Sequence, residues 1–106
     1  MNYTTFLLKI ISNPEQTFLN NEISYTEFIA KFYQYKKNQH TLCKISVWGN
    51  LGYDIIRYYQ VNDYIIVEGY ILLNNLTFSS NNTEPTIEIV ACKIYPFALT
   101  KKNNFF

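Results

Sequence analysis

The chain has little with which to hold a metal or run a reaction. Its 106 residues include two cysteines, one histidine and two aspartates. Two cysteines exclude a disulfide scaffold, and together with a single histidine they fall short of an ordinary zinc site. Glycine is scarce at three, and Gly49 and Gly52 form only a pair after a strand, not a phosphate-cradling loop. No nucleophile stands at a recognisable spacing from a base, so no enzyme activity, cofactor or small-molecule substrate is expected. Charged residues are only 16%, with nine basic against eight acidic and a net charge of +1. That excludes a protein held on nucleic acid by charge alone. No apolar run approaches the roughly 18 residues of a membrane helix, so no membrane role is expected. Lys9 interrupts the short run Phe6-Leu7-Leu8, and no arginine lies near the start. Neither a signal peptide nor a transit peptide is therefore expected.

Aromatic side chains, by contrast, are abundant. Ten Tyr, eight Phe and one Trp make 18% of the chain, more than one small core needs. Apolar residues reach 48%, which excludes global disorder. Asn and Ile each number thirteen, a bias that points to an AT-rich genome such as that of an organelle or a reduced bacterium.

Period-two alternation marks strands over Tyr3–Ile11, Tyr25–Tyr35, Thr41–Trp48, Tyr64–Leu73 and Thr86–Pro96. Pro14 breaks the first, and residues 16–24 read as a polar connector. In the third, Cys43, Ile45 and Val47 face one way and Lys44, Ser46 and Trp48 the other. Asn50 is placed to cap a short helix running to about Tyr59, with Leu51, Ile55, Tyr58 and Tyr59 as its apolar stripe. Gly69 inside the fourth strand marks a bend or bulge. Cys43 and Cys92 both fall on strands and are expected buried and reduced. Three strands, a helix and two more strands suit an all-β, five-stranded Greek-key barrel of the OB-fold type, with one short helix between strands 3 and 4. Periodicity alone also fits a two-layer α+β domain. Residues 1–97 read as one barrel domain and 98–106 as a short basic tail.

Two segments carry a resemblance. Trp48-Gly49-Asn50-Leu51 is followed, nine residues on, by Val61-Asn62-Asp63-Tyr64-Ile65-Ile66-Val67-Glu68-Gly69. Near the start stands Asn13-Pro14-Glu15, and the last strand runs Ile87 to Ile94. This pattern resembles the bacterial-type single-stranded-DNA-binding protein family. There an aromatic-Gly-Lys-Leu ends strand three, and a tight turn leads into a strand ending Val-Glu-Gly. Asn62 replaces the turn glycine, Asn50 the lysine, and Leu42 and Leu76 stand where the family has tryptophans. The Gly-rich linker and acidic tip of the family are replaced by Lys101-Lys102 and Phe105-Phe106. The resemblance implies an OB-fold, single-stranded DNA as partner, and a homo-oligomer, dimer or tetramer, paired through first-strand surfaces such as Tyr3, Thr5 and Leu7. With the Asn/Ile/Lys bias it implies the plastid (chloroplast) stroma, or another organellar or bacterial interior.

Single-strand binders need aromatic faces for bases and cations for phosphates. Trp48 shares an outward face with Lys44 and holds the position of the family's stacking aromatic. Its alternative role is to cover a barrel end or a subunit contact. Tyr33 and Tyr35 share a face with Lys31 and precede Lys36 and Lys37. Tyr70 and Phe78 are placed as a second platform, and Lys9, Lys44 and Lys93 as phosphate contacts. A protein-interaction barrel with lost DNA binding, or a single-stranded RNA binder, fits the same residues.

Overall fold

The computed structural model describes residues 3–20, 23–33, 41–74 and 86–100. Along them lie β1 (Tyr3–Ile10), β2 (Glu15–Phe18), β3 (Ser24–Phe32), β4 (Leu42–Trp48), α1 (Leu51–Tyr58), β5 (Tyr64–Asn74) and β6 (Thr86–Ala98). The strand order is β1-β5-β6-β4-β3-β2, and β1 also pairs β3, which closes five strands into a barrel. Neighbours are antiparallel except β4 and β6, which run parallel with Cys43 opposite Ile87 and Val47 opposite Ala91. This is the OB-fold arrangement that the strand order implied.

Alternation decides which residues fill the barrel. Leu8 and Ile10, Phe28 and Ala30, Cys43, Ile45 and Val47, Ile65 and Val67, and Ile89 and Ala91 are all buried. Fully burying one Leu or Ile side chain contributes about 1.5–3 kcal/mol, so these five inward rows hold the barrel shut. Ile55 of α1 plugs one end, backed by Leu51 and Tyr59. Tyr58, expected in that stripe, is exposed. The chain leaves the helix at Tyr59, whose extended backbone takes the core-facing place instead. Asn50 does not cap α1: its own backbone is helical and its side chain makes no capping bond. The turn before the helix is made by Gly49 at φ 74°, left-handed backbone that favours glycine. Gly52 sits under β3, where an added Cβ would run into the Thr26 hydroxyl.

Residues 16–24 are not all connector. Glu15–Phe18 pairs β3, with Thr17 opposite Tyr25. This strand is mostly exposed, so no apolar alternation marks it in the sequence. The second long strand ends at Phe32, one residue before Tyr33, and the last runs on to Ala98.

Gly69 lies at a bulge. Gly69 pairs Ala91 while Glu68 pairs Lys93, leaving Cys92 as the extra residue on β6. Cys92 is exposed, not buried as expected: it follows the inward-facing Ala91 and so falls on the outer side, and the bulge keeps Lys93 out beside it. A Cβ at Gly69 would strike the Val90 carbonyl. Asn62 takes the turn glycine's place at φ 82°, as asparagine can. Its amide donates to the Ile10 carbonyl at 2.8 Å. Next to it, the buried Asp63 carboxylate accepts from the Gln60 amide at 2.8 Å and from the Thr100 amide at 2.6 Å. That carboxylate pins the end of β6 to the α1–β5 turn.

Candidate nucleic-acid interface

The outer faces of β3 and β4 meet in register: Tyr25 opposite Trp48, Glu27 opposite Ser46, Ile29 opposite Lys44 and Lys31 opposite Leu42. Trp48 and Tyr25 stack, with ring centroids 5.0 Å apart and planes 28° from parallel. Trp48 is 50% exposed, so one face of the pair is open to solvent. An exposed offset stack is an aromatic platform already ordered before a base arrives. Tyr25 had no role in the sequence reading. Its signal was the even spacing from Phe32 to Ser24, which puts Tyr25 outward and level with the strand end.

In the middle of this face Lys44, placed by the sequence as a phosphate contact, is not a free cation. Lys44 Nζ lies 3.5 Å from Glu27 Oε2. Glu88 stands in register with Lys44 on the other side, across β6. Ser46, expected outward beside Trp48, does point to that side but is buried, its hydroxyl donating to the Glu88 carboxylate at 2.7 Å. On β2, Glu15 lies opposite Glu27. Ser12, Asn13, Glu15, Glu27, Ile29 and Lys44 border an open depression of about 300 Å³.

A second locus forms at the far end of β3, where β1 crosses from β5. Lys9 pairs both Lys31 and Tyr64. Lys9 Nζ sits 5.7 Å from the centre of the Tyr64 ring, within cation–π range. Tyr33, just past the strand end and 62% exposed, meets Tyr64 edge to face at 6.3 Å. Tyr64, like Tyr25, had no role in the sequence reading. Only the β1–β5 register brings it to Lys9, and spacing along the chain does not reveal register. From Tyr25 to Lys31 is six residues of strand, roughly 20 Å at about 3.3 Å per residue.

Tyr70 joins neither locus. It packs edge to face on Tyr3 at 5.1 Å, and the Tyr3 hydroxyl donates to Glu68 at 3.1 Å. Partial burial, then that carboxylate, raises the Tyr3 phenol above its usual pKa. Lys93 lies in register with Glu68 on the same side. Tyr35, Lys36, Lys37 and Phe78 lie outside the described residues. Among the described residues, no helix is long and apolar enough to cross a membrane, and no cluster of metal-ligating side chains occurs.

No protein-family model matches the chain. It is 46% identical over 103 residues to a protein of the alga Trieres chinensis named "Putative single-stranded DNA-binding protein ycf41", covering 93% of this chain and 91% of that one. The chain belongs to the single-stranded-DNA-binding protein family, as a relative of ycf41. Solved structures of similar fold include the SSB domain of a Synechococcus protein, at TM-score 0.72 and 14% identity over 90% of this chain and 94% of that one. A small single-stranded DNA-binding protein of Streptomyces coelicolor matches at TM-score 0.72 and 13% identity, over 90% and 91% of the two chains. The second such protein of Mycobacterium smegmatis matches at 0.72 and 18%, over 95% and 98%. At these identities the structures speak for the barrel alone.

Proposed function

We propose that the chain binds single-stranded DNA with little sequence preference and covers exposed strands during replication or repair. The observation that carries this reading is the exposed Trp48–Tyr25 stack on the outside of an OB barrel. Bases stack there, at about 1–3 kcal/mol each and whatever the base. Lys9 and Lys31, beside Tyr33 and Tyr64, take phosphate at the other locus, and the strand runs along the outside of β3 between them. The role is binding, not catalysis, and the relative's name and its algal source support a place in the plastid stroma. The barrel, residues 1–97, is the binding unit, and the basic tail adds little. Tyr3, Leu7, Tyr70 and Tyr95 give β1, β5 and β6 a partly apolar outer face, which supports pairing of copies into a homo-oligomer.

Trp48 is the only tryptophan and reports on its own site. Titration with oligo-dT of about 35 nucleotides, long enough to span several OB units, is expected to quench its fluorescence to saturation. No quenching, and no co-migration of oligomer and protein on a sizing column, would overturn the reading and leave a protein-interaction barrel. Competition between matched DNA and RNA oligomers decides which nucleic acid is preferred, since no residue here distinguishes a 2′-hydroxyl contact from its absence.

A further inference from the structure

We propose that Glu27 competes with the nucleic-acid backbone for Lys44, so that a bound strand is held at its two ends and left without a phosphate anchor between them. This rests on the nucleic-acid reading above. Lys44 lies on the same strand and face as Trp48, four residues away, where a basic groove would place its central cation. Its ammonium is instead 3.5 Å from the Glu27 carboxylate, with both side chains about one-third exposed. A phosphate arriving at Lys44 must displace Glu27 and approach Glu15, which is in register with Glu27, and Glu88, which Ser46 fixes beside Lys44.

The fold has little need of this ion pair. An exposed pair contributes about 0–1 kcal/mol, and Glu15 directly opposite Glu27 is a like-charge pairing that opposes strand association. The consequence of Glu27 therefore falls on what approaches the face. At the other locus Lys9 and Lys31 face each other across β1 and β3, and Lys9 turns to a ring rather than a carboxylate. The two cationic positions are thus unlike: among the described residues no carboxylate pairs with Lys9 or Lys31, while Lys44 is already answered from within the chain.

The test uses the full chain with Glu27→Gln, Lys44→Ala and the double variant. Binding of a 35-nucleotide oligo-dT is read by Trp48 quenching across a series of salt concentrations, with circular dichroism to show that each variant is folded. One added phosphate contact on a single strand steepens the slope of log K against log salt by about 0.7, or about fivefold in affinity near 0.1 M salt. Glu27→Gln is expected to gain both. Lys44→Ala alone is expected to change affinity less than twofold, and in the Glu27→Gln background to abolish the gain. A merely structural role for Glu27 moves neither the salt slope nor its dependence on Lys44. The proposal is overturned if Glu27→Gln binds like the parent, if its gain survives Lys44→Ala, or if Lys44→Ala alone flattens the slope. Failure of parent and variants alike to bind DNA or matched RNA overturns the functional reading and this proposal together. Normal binding by the parent with no change in Glu27→Gln overturns this proposal alone.

Discussion

Along β4, Cys43, Ile45 and Val47 are buried, while Lys44 and Trp48 alternate with them on the outside. Inside, any apolar side chain of the right volume closes the barrel, and the cost of change is set by the cavity left behind. Outside, nothing in the packing demands a tryptophan or a lysine. Trp48 is ordered by Tyr25 and Lys44 by Glu27, each through a cross-strand neighbour. The inner row thus determines whether the barrel exists, and the outer row what it touches. Changes on the two rows are expected to separate cleanly, stability on one side and binding on the other.

The largest contrast lies between the two thiols. Burial pushes the Cys43 thiol up to about 12, leaving about a thousandfold less thiolate than an ordinary cysteine at neutral pH. Cys92 is exposed. An Ellman titration of the folded chain near pH 8 is expected to count one thiol, and two after denaturation; two at once would place Cys43 outside the core. The same shift has a sign for stability. With the folded pKa above the unfolded value of about 9, the unfolded chain releases the proton first, so this contribution is complete below about pH 9 and is lost as pH rises to about 12.

Ile45→Ala is next, removing a fully buried side chain at about 2–5 kcal/mol. The denaturation midpoint should fall, while the folded fraction binds oligo-dT as before. Trp48→Ala reverses the pattern: about 1–3 kcal/mol of binding is lost, read by anisotropy of a labelled oligomer, with the midpoint nearly unchanged. If unfolding accompanies the loss, Trp48 belongs to the inner row after all. Lys9→Ala sharpens the contrast within the outer surface. It should flatten the salt slope by about 0.7, which Lys44→Ala should not. The smallest effect expected is at Thr26, whose buried hydroxyl has no hydrogen-bond partner among the described residues. Thr26→Val removes an unsatisfied polar atom and should leave the melting temperature unchanged or raise it, by no more than about 1 kcal/mol in stability.

The inner row was legible in the sequence because burial writes itself as alternation. Ile45, Val47, Ile65, Val67 and Ile89 all fall where period two puts them. The barrel order followed from the helix between the third and fourth long strands and from the resemblance around Trp48-Gly49. Three things were not legible. β2 has no core side, so Glu15–Phe18 leaves no pattern. The bulge at Cys92 puts Lys93 on the same outer side, and such a one-residue slip reverses every inference about faces downstream. The site's electrostatics depend on register: Glu27 with Lys44 and Lys9 with Tyr64 are neighbours only once the strands are aligned. The outward place of Trp48 was legible because its own strand and motif mark it; the approach of Tyr64 to Lys9 was not, because neither does.

The parallel seam between β4 and β6 also governs how the chain is made. Its partners, residues 43–47 and 87–91, are far apart in sequence. During synthesis the whole β4 edge emerges long before β6 can cover it, with its backbone donors and acceptors unpaired. Such an edge invites pairing with another chain, and non-local pairings of this kind form slowly. A nascent chain that ends before residue 91 cannot complete this barrel, so the interval before β6 is released is when this small protein is most exposed to aggregation and to chaperones.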